Sequence, residues 1–157
     1  MNSATLNTSS GGAAWAPRMF KAAASVTFAL GAMIHTGRMI MGLERWVREV
    51  FTPPVDIAFA VIISIAAIPG LLSWRRYSGG RAGRVVYSFA MLLLLVSVPL
   101  HFRTLFTWST DYLIAFPFWY SAVEVPMFLG LSYLMTRLQF DGSGGVESSA
   151  PLMERIK

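Results

Sequence analysis

Long apolar stretches alternate along the 157 residues with short polar or charged ones. About 20 mostly apolar residues are needed to cross the hydrocarbon as a helix. The spacing predicts spans at about 22–41, 55–74, 85–102 and 112–136. Lipid offers backbone groups no partner, so each span must be helical. Pro99 and Pro126 fall inside the third and fourth spans and predict kinks there. Between the first two spans, Leu43, Trp46, Val47, Val50 and Phe51 fall at i, i+3, i+4, i+7 and i+8. That stripe predicts a short helix lying in the membrane interface, with Trp46 as its anchor and its opposite face joined by Glu44–Arg48 and Arg45–Glu49 pairs. The expected organisation is all-α: a disordered tail at 1–17, one four-helix transmembrane bundle at 18–139, and a second disordered, glycine-rich tail at 140–157.

Arg18 and Lys21 ahead of the first apolar run resemble the start of a secretory signal. No small-residue cleavage site follows and the run continues through 39–41, so a retained span is expected. Composition agrees with a bilayer as the solvent. The apolar fraction is 55%, only 13% of residues are charged, and the mean hydropathy is +0.55. A small globule with so few charges would have a sticky surface.

The net charge of +5 does not point to nucleic acid, because the cations flank apolar runs and form no face or stripe. The absence of cysteine excludes disulfides, thiolate metal sites and a cysteine nucleophile. No nucleotide-binding glycine pattern, hydrolase triad or paired-carboxylate glycosidase arrangement is present. Nine of the 13 basic residues fall on one side of the expected spans. The excess of Lys and Arg on cytoplasmic loops then predicts both termini and the 75–84 loop in the cytoplasm of an inner or plasma membrane protein.

The polar interruptions carry the candidate chemistry. His35 and Arg38 lie in the first span, Asp56 at the mouth of the second, His101 at the end of the third with Arg103 just beyond, and Glu124 inside the fourth. Ionisable groups in such segments are costly and face a bundle interior or a wet cavity. At 1.5 Å per residue, Glu124 lies about 10 Å below the outer face. His35 and His101 fall in the same layer, and Gly31 and Ser97, one turn away, leave room beside their rings. The two halves also echo each other. Each has a histidine, an arginine and then a proline opening the return span: His35, Arg38 and Pro53, then His101, Arg103 and Pro117. This suggests two pseudo-symmetric parallel hairpins.

Several functions suit such a layer. The groups could simply hydrogen-bond neighbouring helices, with Glu124 paired to Arg38 or Arg103. They could line a pocket for a lipophilic small molecule, binding it or converting it, with Phe116, Phe118, Trp119, Tyr120 and Phe128 around a carboxylate suited to a cationic ligand. His35 and His101 could ligate one b-type haem, or join Glu124 around a non-haem metal. The chain could also serve as an accessory subunit, through a membrane-protein partner or a homo-oligomer.

Residues 100–128 resemble a hairpin of the emopamil-binding/sigma-2 receptor (EXPERA) family of four-span proteins. In that hairpin a histidine ends one helix, and a Pro–aromatic–Trp–aromatic entry precedes a buried glutamate and a later proline. Here these are His101, Pro117-Phe118-Trp119-Tyr120, Glu124 and Pro126. The resemblance implies sterol-like or lipophilic-amine binding with Glu124 and His101 in the pocket. It covers under a fifth of the chain, and departs from the family in using the second hairpin and in shorter Trp-to-Glu and Glu-to-Pro spacings. A lipophilic ligand held by His35, Arg38, His101, Arg103, Trp119, Tyr120 and Glu124 is the leading expectation.

Overall fold

The computed structural model describes residues 15–140. Five α-helices follow in order: α1 (Ala16–Met41), α2 (Leu43–Glu49), α3 (Pro53–Ser73), α4 (Arg81–Thr107) and α5 (Phe118–Arg137). Short 3₁₀ turns at Trp74–Arg76 and Asp111–Ala115 precede α4 and α5. Among the described residues there is no strand, only one bridge between Tyr77 and Phe140. The tails expected at 1–17 and 140–157 fall outside the described residues except at their inner edges. There Ala16 and Pro17 open α1 and Phe140 is buried.

By length and composition, two segments can cross a membrane: α3 with its following turn (Pro53–Arg76), and α4. The pair α1 and α2, bent by 119° at the break between them, reaches the same standard only together, which makes three if the pair counts as one span. Apolar side chains cover the outward faces of α3 and α4 as well as the inward ones. Ile65, Ile68, Leu71, Leu92 and Val96 are all exposed, as expected of helices whose surroundings are hydrocarbon.

Local chemistry explains where the helices end. Gly42 turns the chain from α1 into α2 at φ +81°, a conformation that costs other residues a Cβ clash. α4 runs five residues past its expected end, to Thr107, where Trp108 closes it in the left-handed region with its N–H bonded to the Thr104 carbonyl. α5 starts at Phe118, later than the expected 112. Pro117 forces the preceding Phe116 into extended backbone, so no helix can run through from residue 112. The stripe at 43–51 does form a helix, ending at Glu49, and Arg45 pairs with Glu49 at 2.9 Å.

α1 packs on both α5 and α3, and α3 packs on α4, whereas α4 and α5 touch only slightly. One end holds a dense core of Phe20, Ala24, Ile63, Ala66, Tyr87, Met91, Leu131 and Met135. Here Phe20 meets Tyr87 edge-on at 5.0 Å, and the Tyr87 hydroxyl donates to the Gly70 carbonyl. Gly70 is required for this approach, because a Cβ there would sit 2.3 Å from the Met91 sulfur. Ser25 and Ser132 tie α1 to α5, each hydroxyl donating to the other's carbonyl at 2.8 Å. The opposite end is polar inside. A smaller apolar cluster covers it, built on Trp46, Val47 and Phe51, with Trp46 stacked on Phe51 at 4.6 Å.

Candidate functional site: a cavity between two histidine–carboxylate pairs

Beneath that cover lies a cavity of about 90 Å³, lined from α1 by Gly31, His35 and Arg38, from α4 by Ser97 and His101, and from α5 by Tyr120 and Glu124. Phe28, Phe59, Phe116 and Phe128 supply apolar wall. Five of the seven residues expected around a ligand therefore meet at one place. Arg103 and Trp119 do not. Arg103 is exposed and lies over the Tyr112 ring at 5.5 Å, and Trp119 is 64% exposed.

Helix geometry sets the first pair. His35 on α1 and Glu124 on α5 face each other across the closest helix contact, with Nδ1 2.8 Å from Oε2. The same Nδ1 lies 3.1 Å from the Ser121 hydroxyl, one turn before Glu124. The aligned hydrogen bond goes to Ser121, so the contact with Glu124 is electrostatic; the Tyr120 hydroxyl also interacts with this carboxylate, but Oε2 has no aligned hydrogen-bond partner among the described residues. Arg38, one turn beyond His35, also faces Glu124. Its guanidinium donates through Nη2 to the carbonyls of Phe116 and Pro117, tying the end of α1 to the entry of α5. Arg38 is only 3% exposed, yet its Nε is unpartnered as well.

The second pair was not anticipated. Asp56, read from the sequence only as the mouth of a span, is fully buried. Its Oδ1 lies 2.5 Å from His101 Nδ1. Its Oδ2 accepts from Thr104 and from Tyr112 at 2.9 Å. Asp56 sits in the first turn of α3, where the helix dipole favours a carboxylate. Tyr112 belongs to the 3₁₀ turn outside the long helices. Burial, and then the Asp56 carboxylate, push its phenol up from its ordinary value, so it remains protonated and donates. His101 is wedged between Phe59 at 5.2 Å and Phe51 at 6.3 Å. The signal available in the sequence was the burial of His101 itself: a ring held at that depth needs a partner, and Asp56 is the acid at the same level on the adjacent helix.

The size of the cavity limits its contents. Pockets for whole drug-sized molecules run to roughly 300–1,000 Å³, and each liquid water occupies about 30 Å³. The cavity of about 90 Å³ has room for a head group or a few waters. With Nδ1 bonded to the Asp56 carboxylate, His101 is oriented as metal-bound histidines are, whereas the Nδ1 of His35 is held by Ser121. A porphyrin is nevertheless far too large for this space, so the residues do not fit a b-type haem. The expected set of two histidines and Glu124 is not assembled either, since among the described residues no three His, Asp or Glu side chains converge.

No protein-family model, no curated protein and no solved structure matches this chain.

Proposed function

We propose that this chain is a four-span membrane protein that binds a lipophilic small molecule, holding the molecule's polar head in the outer cavity. The convergence of His35, Arg38, His101, Tyr120 and Glu124 on one small cavity, with two buried polar atoms left unpaired, carries the proposal. Buried polar atoms are almost always hydrogen-bonded, and exceptions often mark a site that another molecule completes. The tail of the ligand leaves between α4 and α5, which touch far less than α1 and α5, α3 and α4, or α1 and α3. The resemblance of residues 100–128 to the EXPERA hairpin agrees with this reading, with His101 and Glu124 in the pocket.

α1 and α5 complete four spans in this view. They are less apolar than α3 and α4 because they carry Lys21, His35, Arg38 and Glu124, groups that turn inward or reach an interface. Charge supports the orientation. Arg18, Lys21, Arg75, Arg76, Arg81, Arg84 and Arg137 lie at the end of the dense core against Arg38, Arg45, Arg48 and Arg103 toward the other, an excess that favours a cytoplasmic core end. Reporter fusions after Arg81 and Arg137 should read cytoplasmic, and one near Arg48 external. An external signal at Arg81 would invert the orientation.

A pseudo-two-fold relation between the halves is part of the proposal. The His35–Glu124 contact joins the first helix of one half to the last of the other, and His101–Asp56 repeats that exchange. Native mass spectrometry tests the binding itself. Wild-type protein should retain a lipophilic adduct through detergent release, and Glu124→Gln should lose it while keeping its helical spectrum. Equal retention by both would remove the cavity as the binding site.

A further inference from the structure

We infer that the outer cavity selects an uncharged head group that both donates and accepts a hydrogen bond, such as a hydroxyl or a primary amide. This rests on the binding reading above and specifies the class of molecule. The two unpartnered atoms in the cavity wall are complementary: Glu124 Oε2 needs a donor and Arg38 Nε–H needs an acceptor. Both belong to buried side chains, 6% and 3% exposed, and both residues line the same cavity.

A lone carboxylate among aromatic rings would favour an ammonium. Glu124 is not alone. Arg38 faces it with a full positive charge, and His35 Nδ1 stands 2.8 Å from its oxygen. The charge is thus compensated inside the protein. Asp56 offers an entering cation nothing, since His101, Thr104 and Tyr112 already occupy its oxygens. An ammonium has donors only. It would serve Glu124 but meet Arg38 as a like charge. A carboxylate head has the reverse fault, accepting from Arg38 and repelling Glu124. A hydroxyl brings one proton and two lone pairs, and a primary amide brings both functions on adjacent atoms. Either satisfies both walls without adding charge to a buried place, and either fits a cavity of about 90 Å³. The apolar remainder of the molecule would lie against Phe28, Phe59 and Phe128.

The test is a thermal-shift titration of the detergent-purified full chain with four probes that share one tail: dodecanol, dodecanamide, dodecyl methyl ether and dodecylamine. The alcohol and the amide should bind about tenfold or more tightly than the ether, which accepts but cannot donate to Glu124, as expected for a lost hydrogen bond to a charged group. They should exceed the amine by a similar factor. In Glu124→Gln the advantage of alcohol over ether should shrink severalfold. Arg38→Lys, which keeps the charge but removes the Nε–H, should weaken the alcohol and the ether alike. Where a variant fails to fold, the ranking of the four probes on wild type decides. If the amine binds tightest, the neutral-head inference is wrong and the cavity reading stands. If all four bind equally, or none binds, no head group is read and both fall together.

Discussion

His101 and Asp56 join α4 to α3 much as His35 and Glu124 join α1 to α5, with an imidazole Nδ1 against a carboxylate in each case. The surroundings of the two acids differ. Asp56 is closed off from solvent and takes donors from an imidazole, a threonine and a tyrosine. Glu124 meets an imidazole whose aligned hydrogen bond goes elsewhere, and one of its oxygens is left without a partner. A buried carboxylate with all its donors in place is a fixed joint, because any rearrangement breaks several charge-assisted bonds together. A buried carboxylate with an open lone pair is unfinished, and something entering the cavity can complete it. Similar residue types thus make a closed joint on one side and, in the function proposed above, a binding surface on the other.

The sharpest way to break this comparison is to remove the closed acid. Asp56→Ala leaves His101, Thr104 and Tyr112 buried without their acceptor, and breaking a buried pair this way costs on the order of 3–5 kcal/mol. The variant should lose most of its thermal stability in detergent, or fail to accumulate. If it unfolds at nearly the wild-type temperature, Asp56 is no joint and the contrast disappears.

The two glycines facing the dense core and the cavity test the same contrast through packing. A Cβ at Gly70 would lie 2.3 Å from Met91 Sδ and 2.8 Å from the Phe20 ring. Overpacking in such a core costs about 1–3 kcal/mol, so Gly70→Ala should melt clearly earlier. At Gly31 the nearest atoms are the Phe128 ring carbons at 3.0 and 3.1 Å, and that ring borders the cavity. It can yield into empty space, and the gain of about 0.5–1 kcal/mol for Ala over Gly in a helix offsets the push. Gly31→Ala should melt within a degree or two of wild type. Equal losses at both positions would show the cavity wall to be as rigid as the core.

Removing the open acid should have a smaller effect on stability and a larger one on binding. Glu124→Gln removes the countercharge of the buried Arg38 but keeps the side chain's shape and an accepting oxygen, and should destabilise by about 1–3 kcal/mol, less than Asp56→Ala. Differential scanning calorimetry of protein stripped of lipophilic adducts measures it. A loss as large as that of Asp56→Ala would make Glu124 a second joint.

The sequence made legible what a bilayer dictates. Apolar length fixed the long helices, and the cost of ionisable groups in lipid singled out His35, Arg38, His101 and Glu124, all of which line one cavity. It did not reveal Asp56, because an acid in the first turn after Pro53 reads as a helix start at the interface; only the packing of α3 on α4 shows that this turn is buried. Arg103 and Trp119 looked equivalent to their neighbours in the sequence. The side of the helix that each faces, fixed by how α4 and α5 sit, sends both outward. A four-helix bundle was expected from four apolar runs of spanning length. What the packing shows is a chain of contacts, α5 to α1 to α3 to α4, with α4 and α5 barely joined, and no property of the individual spans contains that asymmetry.

The finest test asks whether the two pairs know of each other. His35→Ala and His101→Ala each remove one imidazole, and His101 should cost more because Asp56 then loses a donor in a closed site. If the pairs are separate fixtures, the double variant should lose the sum of the two, within about 0.5 kcal/mol. Each histidine meets a different carboxylate on a different helix, which is why additivity is expected. Both rings border the same cavity, however, and whatever fills it can touch both. The cycle should therefore be run twice, on stripped protein and on protein saturated with the tightest-binding probe. Additivity in the first and a coupling above about 0.5 kcal/mol in the second would mean that the bound head group spans the cavity from one pair to the other. Additivity in both would confine the ligand to the His35–Glu124 side. A strong coupling in the stripped protein would show that the pairs already act as one unit, and the division into a fastening and a binding surface would have to be abandoned.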